Sequence, residues 1–115
     1  MNLYLVSFDL KPGIGDVEFT EHLHAYLQPM VAAGAIANWR LVRRKLGFGH
    51  VLSDFLLIIE TETLAQLDAA FTMASRRDEP IETLHFHVNR WATNLSFSLY
   101  RDFPDAHRVR GQEQF

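Results

Sequence analysis

Residues 3–10 form a short apolar run, Leu-Tyr-Leu-Val-Ser-Phe-Asp-Leu, which stops at Lys11-Pro12-Gly13 and predicts a first strand closed by a turn. Apolar side chains then recur at helical spacing at Phe19, Leu23, Leu27 and Met30, giving one buried stripe. Asp16 is the expected N-cap of that helix and Gly34 its expected C-cap. Pro29 removes one backbone hydrogen bond and is expected to kink the last turn. Residues 36–46 read as a second strand, with Gly47-Phe48-Gly49-His50 as a connecting loop, and Phe55–Ile59 as a third. Thr63 and Gln66 have the spacing of a capping box, and Leu64, Leu67, Phe71 and Ala74 carry the helix they open to Arg77. Asp78-Glu79-Pro80 breaks it. A further helical segment, with Ile81, Leu84, Val88 and Trp91 in register, runs to about Ala92. The last strand is Leu95–Tyr100, and a polar tail follows Phe103-Pro104-Asp105, so one domain is expected over residues 1–103 and a tail over 104–115.

The four strands carry different patterns. The first and third are apolar on both faces, with Leu3 and Leu5 against Tyr4 and Val6, and Phe55, Leu57 and Ile59 against Leu56 and Ile58. The fourth alternates Leu95, Phe97 and Leu99 with Ser96 and Ser98. The second partly alternates, with Asn38 and Arg40 opposite Ala37, Trp39 and Leu41. Continuous apolar runs require burial on both faces and alternation on one, so the first and third strands belong in the centre. The order is then 4-1-3-2 in an antiparallel sheet, an α+β ferredoxin-like β-α-β-β-α-β fold with helices on one face. Six apolar side chains left wet on the other face would forfeit on the order of 10 kcal/mol, about the whole stability of such a domain. A homodimer through the helix-free face is therefore expected, the alternative being a cover made by the tail or a long loop.

This strand-helix order, the Lys11-Pro12-Gly13 turn and the doubly apolar central strands resemble the dimeric α+β barrel superfamily over about residues 2–100. The ending from Leu95 to Asp105 is similar to that of an uncharacterised bacterial family within it. The resemblance implies two ferredoxin-like sheets packed face to face. It does not choose among cofactor-free monooxygenases, haem-degrading enzymes, lactone isomerases, cyclases and ligand binders. Haem-degrading members carry an Asn on the first strand, where this chain has Ser7, and its Trp91 and His85 lie late on a helical insertion. That departure argues against haem degradation.

Composition narrows the classes further. The chain has 115 residues, room for one core, with 48% hydrophobic and 22% charged residues, a globular balance. Its net charge of −3 is the wrong sign for a nucleic-acid partner. Leu3–Phe8 and Gly47–Val51 echo the two strand motifs of RNA-recognition domains, but His50, Ser53 and Leu46 replace the aromatics and cation those motifs need. No apolar run is long enough to span a membrane, and Met1-Asn2-Leu3-Tyr4 lacks the positive segment of a secretory signal, so a cytoplasmic location is expected. With no cysteine, disulfides and thiolate chemistry are excluded.

Six histidines invite a metal reading, but His22 with His24 and His85 with His87 are each two apart on a helix and point to opposite sides. No metal and no cofactor is expected. A softer constellation joins His22 and Tyr26, four apart beside the buried stripe, with Trp39 on the second strand and His85 on the apolar side of its segment. These would line an apolar pocket between helices and sheet, with Arg40 or Arg43 clamping an acidic head. The plainer reading makes Tyr26 and Trp39 core, and makes Arg40, Arg43, Arg44 and Lys45 a charged edge strand that resists aggregation. Three functions follow: a small-molecule binder holding an apolar ligand with a polar or acidic head; a cofactor-free monooxygenase or isomerase using His22 or His85; or a structural dimer without a pocket.

Overall fold

The structure is a computed structural model that describes residues 1–76, 78–79 and 81–112. Its elements run β1 (Asn2–Leu10), α1 (Asp16–Ala32), β2 (Asn38–Arg43), β3 (Phe55–Thr61), α2 (Leu64–Ser75), α3 (Ile81–Asn89) and β4 (Ala92–Arg101). The strands form one antiparallel sheet in the order β2-β3-β1-β4, with the doubly apolar strands in the middle. This is the ferredoxin-like arrangement. Among the described residues no helix is long and apolar enough to cross a membrane. Arg77 and Pro80, expected to end and break the second helix, lie outside the described residues, as do the side chains of Ile81 and His87.

Register assigns each side chain to a face. Val6 sits opposite Leu57 and Phe97, and Tyr4 opposite Ile59 and Leu99, so even positions of β1 share a face with odd positions of β3 and β4. That face meets the helices. Phe8, stacked on Phe55 at 5.5 Å and tilted against Phe19 at 5.3 Å, joins the α1 stripe of Leu23, Leu27 and Met30 to close the core. The opposite face carries Leu3, Leu5, Val42, Leu56 and Ile58, all half-buried, flanked by Ser7, Asn38, Arg40 and Ser98.

Local chemistry explains the element ends. Asp16 is the first helical residue and Gly15 takes the cap position, without a side-chain cap bond, so the expected Asp16 cap is displaced by one. The Asp16 carboxylate instead accepts from the Val17 N–H at 2.7 Å and from Arg43 at 3.0 Å. At the other end Ala33 is the cap, and Gly34 follows it at φ 74°. Gly34 N–H donates to Val31 O and Ala35 N–H to Met30 O, a Schellman closure that needs a left-handed residue at position 34. α1 runs through Pro29 to Ala32. β2 is shorter than its apolar pattern, because beyond Arg43 the chain turns, with Arg44 bonded through N–H and guanidinium to Asp54.

β4 departs most from expectation. It begins at Ala92, where a helix end was expected, and its apolar face is not buried in the single chain. Leu95, Phe97 and Leu99 face the helix side yet are 41%, 58% and 51% exposed. α1 packs on β2 and α2 on β3, which leaves these β4 side chains only partly covered. Between Ser7 and Asp9 of β1 the β4 register slips from Ser96 to Thr93, leaving one extra β4 residue. Asn94, in that extra stretch, adopts φ 53°.

Candidate functional site

The helix layer does not seal the sheet. Between them lies a cavity of about 800 Å³, whose lining includes the exposed Leu95 and Phe97 of β4. Its floor is Tyr4, Val6, Phe8, Leu57, Ile59 and Phe97 from the sheet, and its near wall is the α1 stripe with Tyr26. α2 supplies Leu67, Ala70, Phe71 and Ala74, and α3 supplies Glu82, His85, Val88 and Asn89. The floor is apolar because alternation puts every second residue of β1 and β3 on this face. Polar groups arrive from Tyr26, Ser75, Glu82, His85 and Asn89 on the helices and from Tyr4 on the floor.

Two of the five expected site residues meet here. Tyr26 of α1 and His85 of α3 face one another with ring centroids 5.4 Å apart. Burial pushes the Tyr26 phenol above its ordinary value, and Tyr4 likewise, so both hydroxyls remain protonated donors. Among the described residues neither the Tyr26 hydroxyl nor the His85 ring makes a hydrogen bond, which leaves both available to a ligand.

The other three lie elsewhere. His22 stands edge-on against Trp91 at 4.9 Å and is not among the residues lining the cavity. Trp39 lies on the helix face of β2, edge-on to His24 at 5.9 Å, and packs the core without reaching the cavity. Arg40 is exposed on the opposite face of the sheet, because it alternates with Trp39. Arg43 pairs with Asp16 and covers the Phe55 ring. No cation expected to clamp an acidic head therefore reaches the cavity. Among the described residues no group of three or more His, Asp or Glu side chains is placed to hold a metal.

Sequence reasoning missed Tyr4, Phe71, Glu82 and Asn89 as wall residues. Their signals were present. Glu82, His85 and Asn89 fall at i, i+3 and i+7 on α3, one polar stripe beside an apolar one. Tyr4 shares the parity of Val6 and Phe8, and so faces the helices.

The model of a family of unknown function, DUF6614, matches residues 1–115. No curated protein matches the sequence. Among solved structures the chain is similar to the At3g17210 protein of Arabidopsis thaliana, at 6% identity and a TM-score of 0.70, covering 89% of this chain and 95% of that one. It is similar to SnoaB of Streptomyces nogalater, described as a cofactor-independent oxygenase, at 8% identity and a TM-score of 0.68, covering 93% and 97%. A dimeric ferredoxin-like protein of unknown function from Thermobifida fusca follows at 13% identity and a TM-score of 0.57, covering 86% and 88%. At such identities the likenesses show the fold. The chain belongs to the DUF6614 family.

Proposed function

We propose that this DUF6614 protein binds a small molecule, holding an apolar body with a polar head between its helices and its sheet. The cavity supports this reading. Its volume, about 800 Å³, lies inside the ~300–1,000 Å³ range of small-molecule sites, and it combines apolar walls with a few polar groups. An interior with this much open space argues against the purely structural alternative. Ala74, half-buried on the α2 wall, gives a direct test, since Ala74→Trp adds bulk to the cavity from a helix and leaves the sheet sequence unchanged. Thermal shift against fatty acids, polyketides, aromatic acids and alkylamines is expected to raise the melting temperature of the wild type and not of Ala74→Trp. A panel that stabilises neither protein would remove the proposal.

A second reading is a cofactor-free monooxygenase or isomerase. The Tyr26–His85 pair favours it, placing an acid-base group against an apolar space, on a fold shared with a cofactor-independent oxygenase. It predicts turnover that collapses in His85→Ala while the fold survives. His22→Ala is expected to act less, from its place against Trp91.

We also propose a homodimer through the helix-free face, supported by the apolar strip of Leu3, Leu5, Leu56 and Ile58 and by neighbours described as dimeric. No nucleic acid or membrane is needed as a partner in this reading.

A further inference from the structure

We infer, building on the cavity reading above, that the head group this cavity selects is an organic amine and not a carboxylate. Among the described residues no lysine or arginine lines the cavity, and Glu82 contributes a carboxylate to its wall. An anion entering this space would find the His85 ring and the tyrosine hydroxyls but no permanent cation, whereas an ammonium would meet the Glu82 carboxylate as an opposite charge.

The aromatic floor of the cavity completes the case. α1 and α3 run antiparallel, since Tyr26 meets His85 while His22, one turn earlier on α1, meets Trp91, beyond the end of α3. Following α3 back from His85 to Glu82 therefore leads towards Met30, at the end of α1. That end is tied to the sheet where Ala37 N–H donates to Glu60 O at 2.9 Å, and Glu60 pairs with Leu3. Tyr4 is the next residue of β1, so Glu82 and Tyr4 share one end of the cavity. Around Tyr4 stand Phe97, nearly parallel to it at 6.1 Å and 15°, and Phe71, edge-on at 5.1 Å and 81°. Three aromatic rings and one carboxylate lining the same cavity are the groups by which cations are held, through ring faces and one ion pair. The ligand class is a hydrophobic amine, alkyl or arylalkyl, whose chain runs along Val6 and Phe8 towards α1.

The test keeps the body constant and varies the head. Dodecylamine, dodecanol and dodecanoate are titrated calorimetrically below their micelle concentrations at neutral pH, into the wild type, Glu82→Gln and Glu21→Gln. Glu21 is exposed on α1 and does not line the cavity, so its variant controls for general attraction of amines to an acidic protein. The amine is expected to bind about tenfold tighter than the alcohol, and the carboxylate weakest. Glu82→Gln should bring the amine close to the alcohol and leave the alcohol unchanged, while Glu21→Gln changes nothing. A carboxylate that binds as tightly as the amine, or an amine preference that survives Glu82→Gln, overturns the inference and leaves the cavity reading standing. If none of the three binds, the cavity reading falls and this one with it.

Discussion

At the scale of single residues, Asp9 joins three parts of the chain. Its carboxylate accepts from the Asp54 N–H at 2.8 Å and from the Asn94 amide at 2.9 Å, while Ser7 next to it accepts from Ser53 N–H at 2.9 Å. The Asp54 backbone bond, then the Asn94 amide, hold the Asp9 carboxyl below its ordinary value, with a smaller contribution from Arg44. A folded-state value below the unfolded one gives stability that is complete above the unfolded value, about pH 4, and fades as pH falls through the folded value. Asp9→Ala is thus expected to be about 1 kcal/mol less stable than the wild type in urea melts at pH 7, and the gap should shrink at pH 3. Asn94 offers a cleaner comparison. Its φ of 53° suits glycine, so Asn94→Ala and Asn94→Gly lose the same Asp9 bond, but the alanine variant should be the less stable of the two by about 1 kcal/mol.

At the scale of elements, one side chain links two helix ends. Thr63 Oγ1 accepts from the Gln66 N–H at 3.0 Å, half of the expected capping box. Gln66 Oε1 accepts from Glu62 N–H and its amide donates to Gly34 O at 3.0 Å, joining the start of α2 to the end of α1. Thr63→Ala is expected to cost about 1 kcal/mol, read as a fall of about 5 °C in the melting temperature. The strand order was legible because parity and doubly apolar runs are local signals that fix burial. The α1 stripe was legible for the same reason, and Phe19, Leu23, Leu27 and Met30 are all buried. The exposure of Leu95, Phe97 and Leu99 was not, since it depends on where α2 and α3 settle, a tertiary matter that alternation cannot report. Arg40 is different. Its opposition to Trp39 was readable, and placing both at one pocket ignored the pleat.

At the scale of the molecule, the Cα radius of gyration is 16.1 Å, against about 13 Å for a compact domain of this length. The extents of 53 × 38 × 19 Å describe a slab, one sheet with one helix layer. Leu5 and Ile58 pair across the middle of its bare side. If two slabs associate there, Ile58→Glu should convert the protein to a monomer in analytical ultracentrifugation, or expose enough apolar surface to aggregate it. A protein that sediments as a dimer with Ile58→Glu, or as a monomer without it, would sink the shared-face proposal. The cavity lies on the other side of the sheet, so association there should leave it uncovered.

The slip at the start of β4 sets which face its first residues take. From Leu95 onward odd-numbered residues look towards the helices, yet Ala92, an even one, also borders the cavity, because the strand skips a beat between them. Deleting Asn94 would take out the extra residue and restore an even rhythm, with Leu95 and Ala92 still turned inward and Thr93 outward. The extra residue is what lets Ala92 and Leu95, three positions apart, both turn towards the helices.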